Sequence, residues 1–197
     1  MRMQSDSKNL SNQFLIAMPG LEGDTFAGAV IYLCEHTDKG ALGLVINKPI
    51  NIKLKNLFER VELPFDRADM ADDPVYFGGP VQTERGFVLH EGAASQSEAV
   101  PPYASSLKVK GGLEMTTSKD VLEALSSGVG PRKVLITLGY SGWGAGQLED
   151  EMSRNNWINV SAAPEIIFDT PVEQRYGKAL SLLGISAGML SQQVGHA

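Results

Sequence analysis

Ala29-Val-Ile-Tyr-Leu-Cys34, Glu35-His-Thr-Asp-Lys-Gly40 and Ala41-Leu-Gly-Leu-Val-Ile-Asn47 form the stretch that decides the fold class. The two outer runs are apolar and rich in β-branched or aromatic residues, and they read as strands. About six polar residues join them, where a parallel crossover needs a dozen or more, so they read as an antiparallel hairpin. Pro49 stops the second strand. Side-chain alternation puts Cys34 and His36 on one face of the first.

Toward the N-terminus, Phe14-Leu-Ile-Ala-Met18 is a short buried strand ended by Pro19-Gly20. Residues 1–13 read as a polar tail and residues 14–197 as a single domain. Toward the C-terminus, Asn51 is placed to cap a short helix in which Leu54, Leu57, Phe58 and Val61 recur at the helical period. Val75–Phe77 reads as a strand entering Gly78-Gly79-Pro80, with Phe87–His90 as its hairpin partner. Residues 91–112 are an excursion around Pro101-Pro102, with an edge strand near Leu107–Lys110, and Leu113–Thr117 follows as another strand. Ser118 is an N-cap for a helix buried through Val121, Leu122 and Leu125. Lys133–Leu138 is the clearest core strand, Gly139–Gly146 a glycine-rich turn, and Gln147–Asn155 a helix with its acids early. Glu165–Phe168 reads as a strand. Thr170-Pro-Val-Glu173 is a capping box opening a helix with Tyr176, Leu180 and Leu183 inside. Strands pair early and helices gather late. The predicted class is therefore α+β or mixed α/β, not a doubly wound parallel sheet.

The 197 residues carry 17 Lys+Arg against 23 Asp+Glu, a net charge of −6, so non-specific binding to nucleic acid is not expected. Cys34 is the single cysteine, which excludes an intrachain disulfide and suits a reducing compartment. The N-terminal stretch has no apolar h-region, and no apolar run approaches the ~20 residues of a spanning helix. The expected location is cytoplasmic, without a membrane partner.

Several residue groups carry chemistry. The strand, glycine turn and helix around residues 133–155 form a phosphate-binding layout, but Gln147 stands where the dinucleotide fingerprint needs glycine. Gly139-Tyr-Ser141-Gly-Trp143 is close to a nucleophile elbow, with Trp where the tight turn requires Gly, so Ser141 reads as a turn hydroxyl. Cys34, His36 and His90 are the residue types of a soft metal site or a thiolate–imidazole pair, without the spacing of either. No cofactor is implied. Glu35, His36, Asn47, Arg85 and His90 are the residues expected to line one polar hollow, with the Gly139–Gly146 turn, through Gly142 and Gly144, as its wall. Such a hollow suits an anion or a peptide carboxylate.

These residues also carry a resemblance. Phe14-Leu-Ile-Ala-Met-Pro-Gly20, Tyr32-Leu-Cys-Glu-His36, Gly40-Ala-Leu-Gly-Leu-Val-Ile-Asn-Lys-Pro49, Gly78-Gly-Pro-Val81 and Arg85-Gly-Phe-Val-Leu-His90 are similar to the AlgH/YqgE family of bacterial proteins. So are Leu138–Glu149, Asn155-Asn-Trp157, Ile167-Phe168 and Gly195-His-Ala197. The resemblance implies a bifurcated or partly barrel-like mixed sheet flanked by helices, and no established enzyme activity. Some members are named transcriptional regulators through a link to alginate production, but no helix-turn-helix pattern occurs here. Ala27-Gly28 departs from the basic-then-small pair often found after Phe26. Ser141 stands where the family commonly has Ala. The functional expectation is a non-enzymatic binding protein whose partner is an unknown protein or small molecule. The alternatives are a transcriptional regulator, direct or through a partner, and a hydrolase using Ser141 or His90. Oligomeric state is not legible.

Overall fold

The computed structural model describes residues 9–21, 23–92 and 103–192. In chain order these form β1 (Gln13–Ala17), β2 (Val30–Thr37), β3 (Gly40–Val45), β4 (Pro49–Lys53), α1 (Leu54–Arg60), β5 (Pro74–Phe77), β6 (Val81–Glu91), β7 (Ser106–Lys108), β8 (Leu113–Thr116), α2 (Asp120–Ser126), β9 (Val134–Gly144), α3 (Gln147–Ser153), β10 (Trp157–Ser161), α4 (Pro164–Phe168), α5 (Val172–Ser181) and α6 (Ala187–Gln192). The strands make one curled sheet in the order β10-β1-β2-β3-β9-β6-β8-β7. The predicted mixed α+β class and the bifurcated, half-barrel sheet are therefore correct.

The fork lies in β9. One edge of β9 pairs with β6. Its other edge pairs first with β5, in parallel through Tyr76↔Thr137 and Phe77↔Leu138, and then with β3, antiparallel from Gly43↔Ser141 to Gly40↔Gly144. The Gly78-Gly79 segment leaves β5 and crosses β9 at the crotch. A Cβ on Gly79, at φ +154, would stand 2.1 Å from the Tyr140 carbonyl carbon, and one on Gly139, at φ +75, would stand 2.3 Å from the Gly79 oxygen. Only glycine permits that approach. The Ser141 hydroxyl, fully buried, donates to the Gly78 carbonyl at 3.0 Å and pins the crossing.

Central strands β1 and β2 are covered on both faces, which is why they read as continuous apolar runs. Phe14, Ile16 and Tyr32 pack with Ile167, Ala179 and Leu180 of α4 and α5. Leu15, Ile31 and Leu33 pack on the opposite face with Trp143, Leu148 and Trp157. Helices α1 and α2 close a third cluster through Leu54, Phe58, Val121 and Leu125 against Val88 and Ile136. None of the described helices is long and apolar enough to cross a membrane.

Several local expectations are corrected. The Glu35–Gly40 connection is mostly strand. A bulge between Leu33 and Glu35 lets β2 run on to Thr37, leaving Asp38-Lys39 as the turn. Asn51 lies in β4 rather than capping α1, whose N-cap, Lys53, makes no side-chain cap bond. The partner of β5 is β4, not the Phe87–His90 strand, which pairs with β8 and β9. The glycine-rich stretch to Gly144 is strand because β3 and β6 hold both its edges. Glu165–Phe168 lies in helix α4, started by Pro164; a three-residue apolar run fits either period. Thr170 does not cap α5, and its hydroxyl donates back to the Glu165 carbonyl instead. The tail assignment of residues 1–13 runs too far. Leu10 is buried and donates its N–H to His36 Nδ1, and Gln13 opens β1. Residues 1–8, and the 93–102 part of the predicted excursion, lie outside the described residues.

Candidate functional site

Helix α3 spans the gap from the end of β9 to the start of β10. Its acids come early, as the macrodipole favours, but each also takes a separate partner. Glu149 Oε1 meets His36 Nε2 at 2.8 Å, and Asp150 pairs with Arg154 at 2.9 Å. Glu151 turns inward. Its Oε2 accepts the indole N–H of Trp143 at 2.9 Å and that of Trp157 at 2.8 Å. Its Oε1 accepts the amide N–H of Gln147 at 2.9 Å, one helical turn back. Gln147 Oε1 in turn accepts the Gly144 N–H at 3.0 Å, which ties the end of β9 to the first turn of α3.

The two indoles stand edge to face, with centroids 6.0 Å apart and planes at 80°, and Phe26 lies edge-on to Trp157 at 5.5 Å. These groups, with Leu21, Gly142 and Arg154, line a cleft of about 470 Å³. Three neutral N–H donors satisfy the Glu151 carboxylate, and it has no ion-pair partner among the described residues. Its negative charge is therefore held in place but not cancelled, beside aromatic surface. An uncancelled carboxylate at a cleft attracts cations directly.

The sequence-predicted residues divide around this corner. Gly142 lines the cleft, Gly144 anchors Gln147, and His36 is buried beneath α3 on Glu149. Glu35 is exposed and lies in a shallow neighbouring groove that also touches Gly142 and Tyr140. The other three lie elsewhere. Asn47 accepts the Val30 N–H and donates to the Gly28 carbonyl, both at 2.8 Å, and so shapes the loop before β2. Arg85 is exposed, donating to Thr117 Oγ1 at 3.2 Å. His90 is buried, with Nδ1 on the Glu91 carbonyl and Nε2 on the Thr116 hydroxyl, both at 2.8 Å. The carbonyl can only accept, so Nδ1 carries the proton. Burial lowers the His90 pKa, against the opposing pull of the Glu91 carbonyl and the Glu114 charge. Glu35, Asn47 and His90 thus occupy separate surroundings and do not share the expected hollow.

The reactive groups are also placed apart. Ser141 has the Gly78 carbonyl as its partner, and neither described histidine side chain hydrogen-bonds to it. Cys34 is buried with its thiol on the Tyr32 carbonyl, and burial pushes its pKa up. Among the described residues no group of three or more His, Cys, Asp or Glu could hold a metal ion.

Sequence reading missed Glu151, Trp157 and Phe26 as members of one cleft. Two tryptophans flanking an acidic helix, with Gln147 and Glu151 one turn apart, were the available signal.

A forked, curled and mostly antiparallel sheet bearing short helices defines a protein of mixed α+β class. Residues 14–188 match the model of the AlgH-like family, and the chain belongs to that family. The UPF0301 protein of Polaromonas sp. (strain JS666 / ATCC BAA-500) is 64% identical over 197 residues, covering 99% of this chain and 100% of its own. That of Variovorax paradoxus (strain S110) is 60% identical over 199 residues, covering 100% of both. The solution structure of the AlgH protein from Pseudomonas aeruginosa superposes with a TM-score of 0.76 at 46% identity and 100% coverage of both chains. A Corynebacterium diphtheriae protein, 20% identical with a TM-score of 0.65 over 86% of this chain and 84% of its own, shares the fold.

Proposed function

We propose that this chain is a non-enzymatic, cytoplasmic binding protein that takes the ammonium end of a small organic cation into the cleft between β9, α3 and β10. One observation carries the reading: the Glu151 carboxylate is held by three neutral donors and has no ion-pair partner among the described residues, at the foot of a cleft walled by Phe26, Trp143 and Trp157. A desolvated cation against aromatic faces gains about 2 kcal/mol beyond its contact area. The net charge of −6 adds long-range attraction. Arg154, held by Asp150 at the cleft wall, would favour a ligand that also carries an acceptor.

The chain has two tryptophans, and both are in the cleft, so intrinsic fluorescence reads the site directly. Butylammonium should give a saturable fluorescence change, and butanol none. Glu151→Gln, which keeps an oxygen for the indoles, should remove the response while preserving the fold. An equal response to butanol, or an undiminished response in E151Q, defeats the reading. A salt-dependent DNA shift without any butylammonium response would favour the regulator alternative.

A further inference from the structure

A second charged group without an ion-pair partner among the described residues is more deeply buried than Glu151. Arg175, in the first turn of α5, is 6% exposed. Its Nε donates to the Thr170 carbonyl at 3.0 Å and its Nη1 to the Ile46 carbonyl, and its Cζ lies 5.0 Å above the Tyr76 ring. It makes no salt bridge with any described carboxylate. A guanidinium does not escape burial by losing its proton, and two carbonyls together with the Tyr76 hydroxyl take only part of its five N–H donors.

The same residue lines a cavity of about 250 Å³ between β5, the start of β9, and helices α4 and α5. Ile136, Ile167, Phe168 and Val172 make its wall apolar, while Arg175 and the Tyr76 phenol supply polar groups, with Asp73 at the exposed rim. Pro171 and Val172 bring the N-terminus of the ten-residue α5 to the same wall, adding partial positive charge. A partly open pocket lined by apolar side chains and a few convergent polar groups has the layout of a small-molecule site.

We propose that this cavity binds a small monocarboxylic acid, its carboxylate on Arg175 and Tyr76 and its hydrocarbon body against Ile167, Phe168 and Val172. Asp73 and Glu173 offset the Arg175 charge only from a distance, without an ion pair, so it can still hold a monoanion, and a planar carboxylate fits the N–H donors that remain on a planar guanidinium. The apolar wall suits a hydrocarbon body, which phosphate lacks. No lining residue is shared with the Glu151 cleft, so this site stands or falls independently of the proposed cation site.

The test titrates the full chain with benzoate, benzamide and inorganic phosphate, followed by amide chemical shifts and calorimetry. Benzoate should saturate and move the amides of Tyr76, Phe168 and Val172, and neither benzamide nor phosphate should do so. Tyr76→Phe should weaken benzoate by about three- to tenfold, the loss of one hydrogen bond. Arg175→Lys, which breaks the planar fork, should weaken it by about tenfold or more. Should Arg175→Lys fail to fold, Val172→Trp decides, because it fills the cavity while leaving the guanidinium in place, and it should abolish binding. Benzamide binding as tightly as benzoate overturns the proposal. So does phosphate binding where benzoate does not, benzoate shifts that map elsewhere, undiminished binding in Val172→Trp, or no saturation at all.

Discussion

Glu151 and Arg175 are charges of opposite sign that the fold treats alike. Glu151 accepts from two indoles and an amide, whereas Arg175 donates to two main-chain carbonyls and lies on a phenol ring. Asp72 shows the other solution. Exposed between Lys53 and Lys55, it has its carboxyl pulled down to about 2 by hydrogen bonds to Lys55 and then Lys53 and by their charges. Neutral partners satisfy hydrogen-bonding capacity without cancelling charge, while ionic partners do both. Both of these charges lie where a cavity opens beside them.

Arg175 is the stronger test of this parallel, because it is nearly inaccessible to water. Arg175→Ala leaves the Ile46 and Thr170 carbonyls short of a donor and strips the cation from Tyr76. It should lower unfolding free energy by about 3–4 kcal/mol, read from urea denaturation; a loss within error of zero would mean that burying the charge costs as much as its contacts return.

Glu151 is half-buried, so solvent can replace part of what it supplies. Glu151→Ala orphans two indole N–H groups and should cost about 2–3 kcal/mol, with a shift in tryptophan emission. Glu151→Gln should recover most of that stability, since its amide oxygen still accepts. Equal losses in the two variants would show that charge, not acceptor geometry, organises the tryptophans, and would separate the two sites in kind.

The smallest effect concerns His90, another polar group whose hydrogen-bond partners are neutral. Its folded pKa lies below the ordinary 6.5, mainly through burial. Between that folded value and 6.5 the unfolded chain binds the proton and the native chain does not, so stability falls as pH drops below 6.5 and levels off beneath the folded pKa. His90→Gln should flatten this part of the stability-versus-pH curve. An unchanged slope would assign it to other groups.

Legibility followed locality. Lys133–Leu138 and the Leu54-Leu57-Phe58 spacing were readable because apolar period and turn residues act within a few positions. Trp157–Ser161 was not, since this edge strand includes the polar Asn159 and is mostly half-buried. Glu165–Phe168 was misread because Pro164, not the apolar run, sets its geometry. At the candidate site, Gly142 and Gly144 are legible as glycines of a turn and His36 as a residue at a strand end. Glu151 was read only as a helix-terminal acid, and Arg175 drew no notice, because nothing local separates a buried helical arginine from an exposed one.

The sequence by itself determined a mixed α+β class built on an antiparallel hairpin, because alternation, helical period and breaker residues are written within each segment. Tertiary structure alone decided that β9 forks, that His36 meets Glu149 across 113 residues, and that Arg175 reaches the Ile46 carbonyl across 129. Whether a charge ends up in water, in an ion pair or among neutral dipoles depends on which distant segments close over it, and no local pattern encodes that.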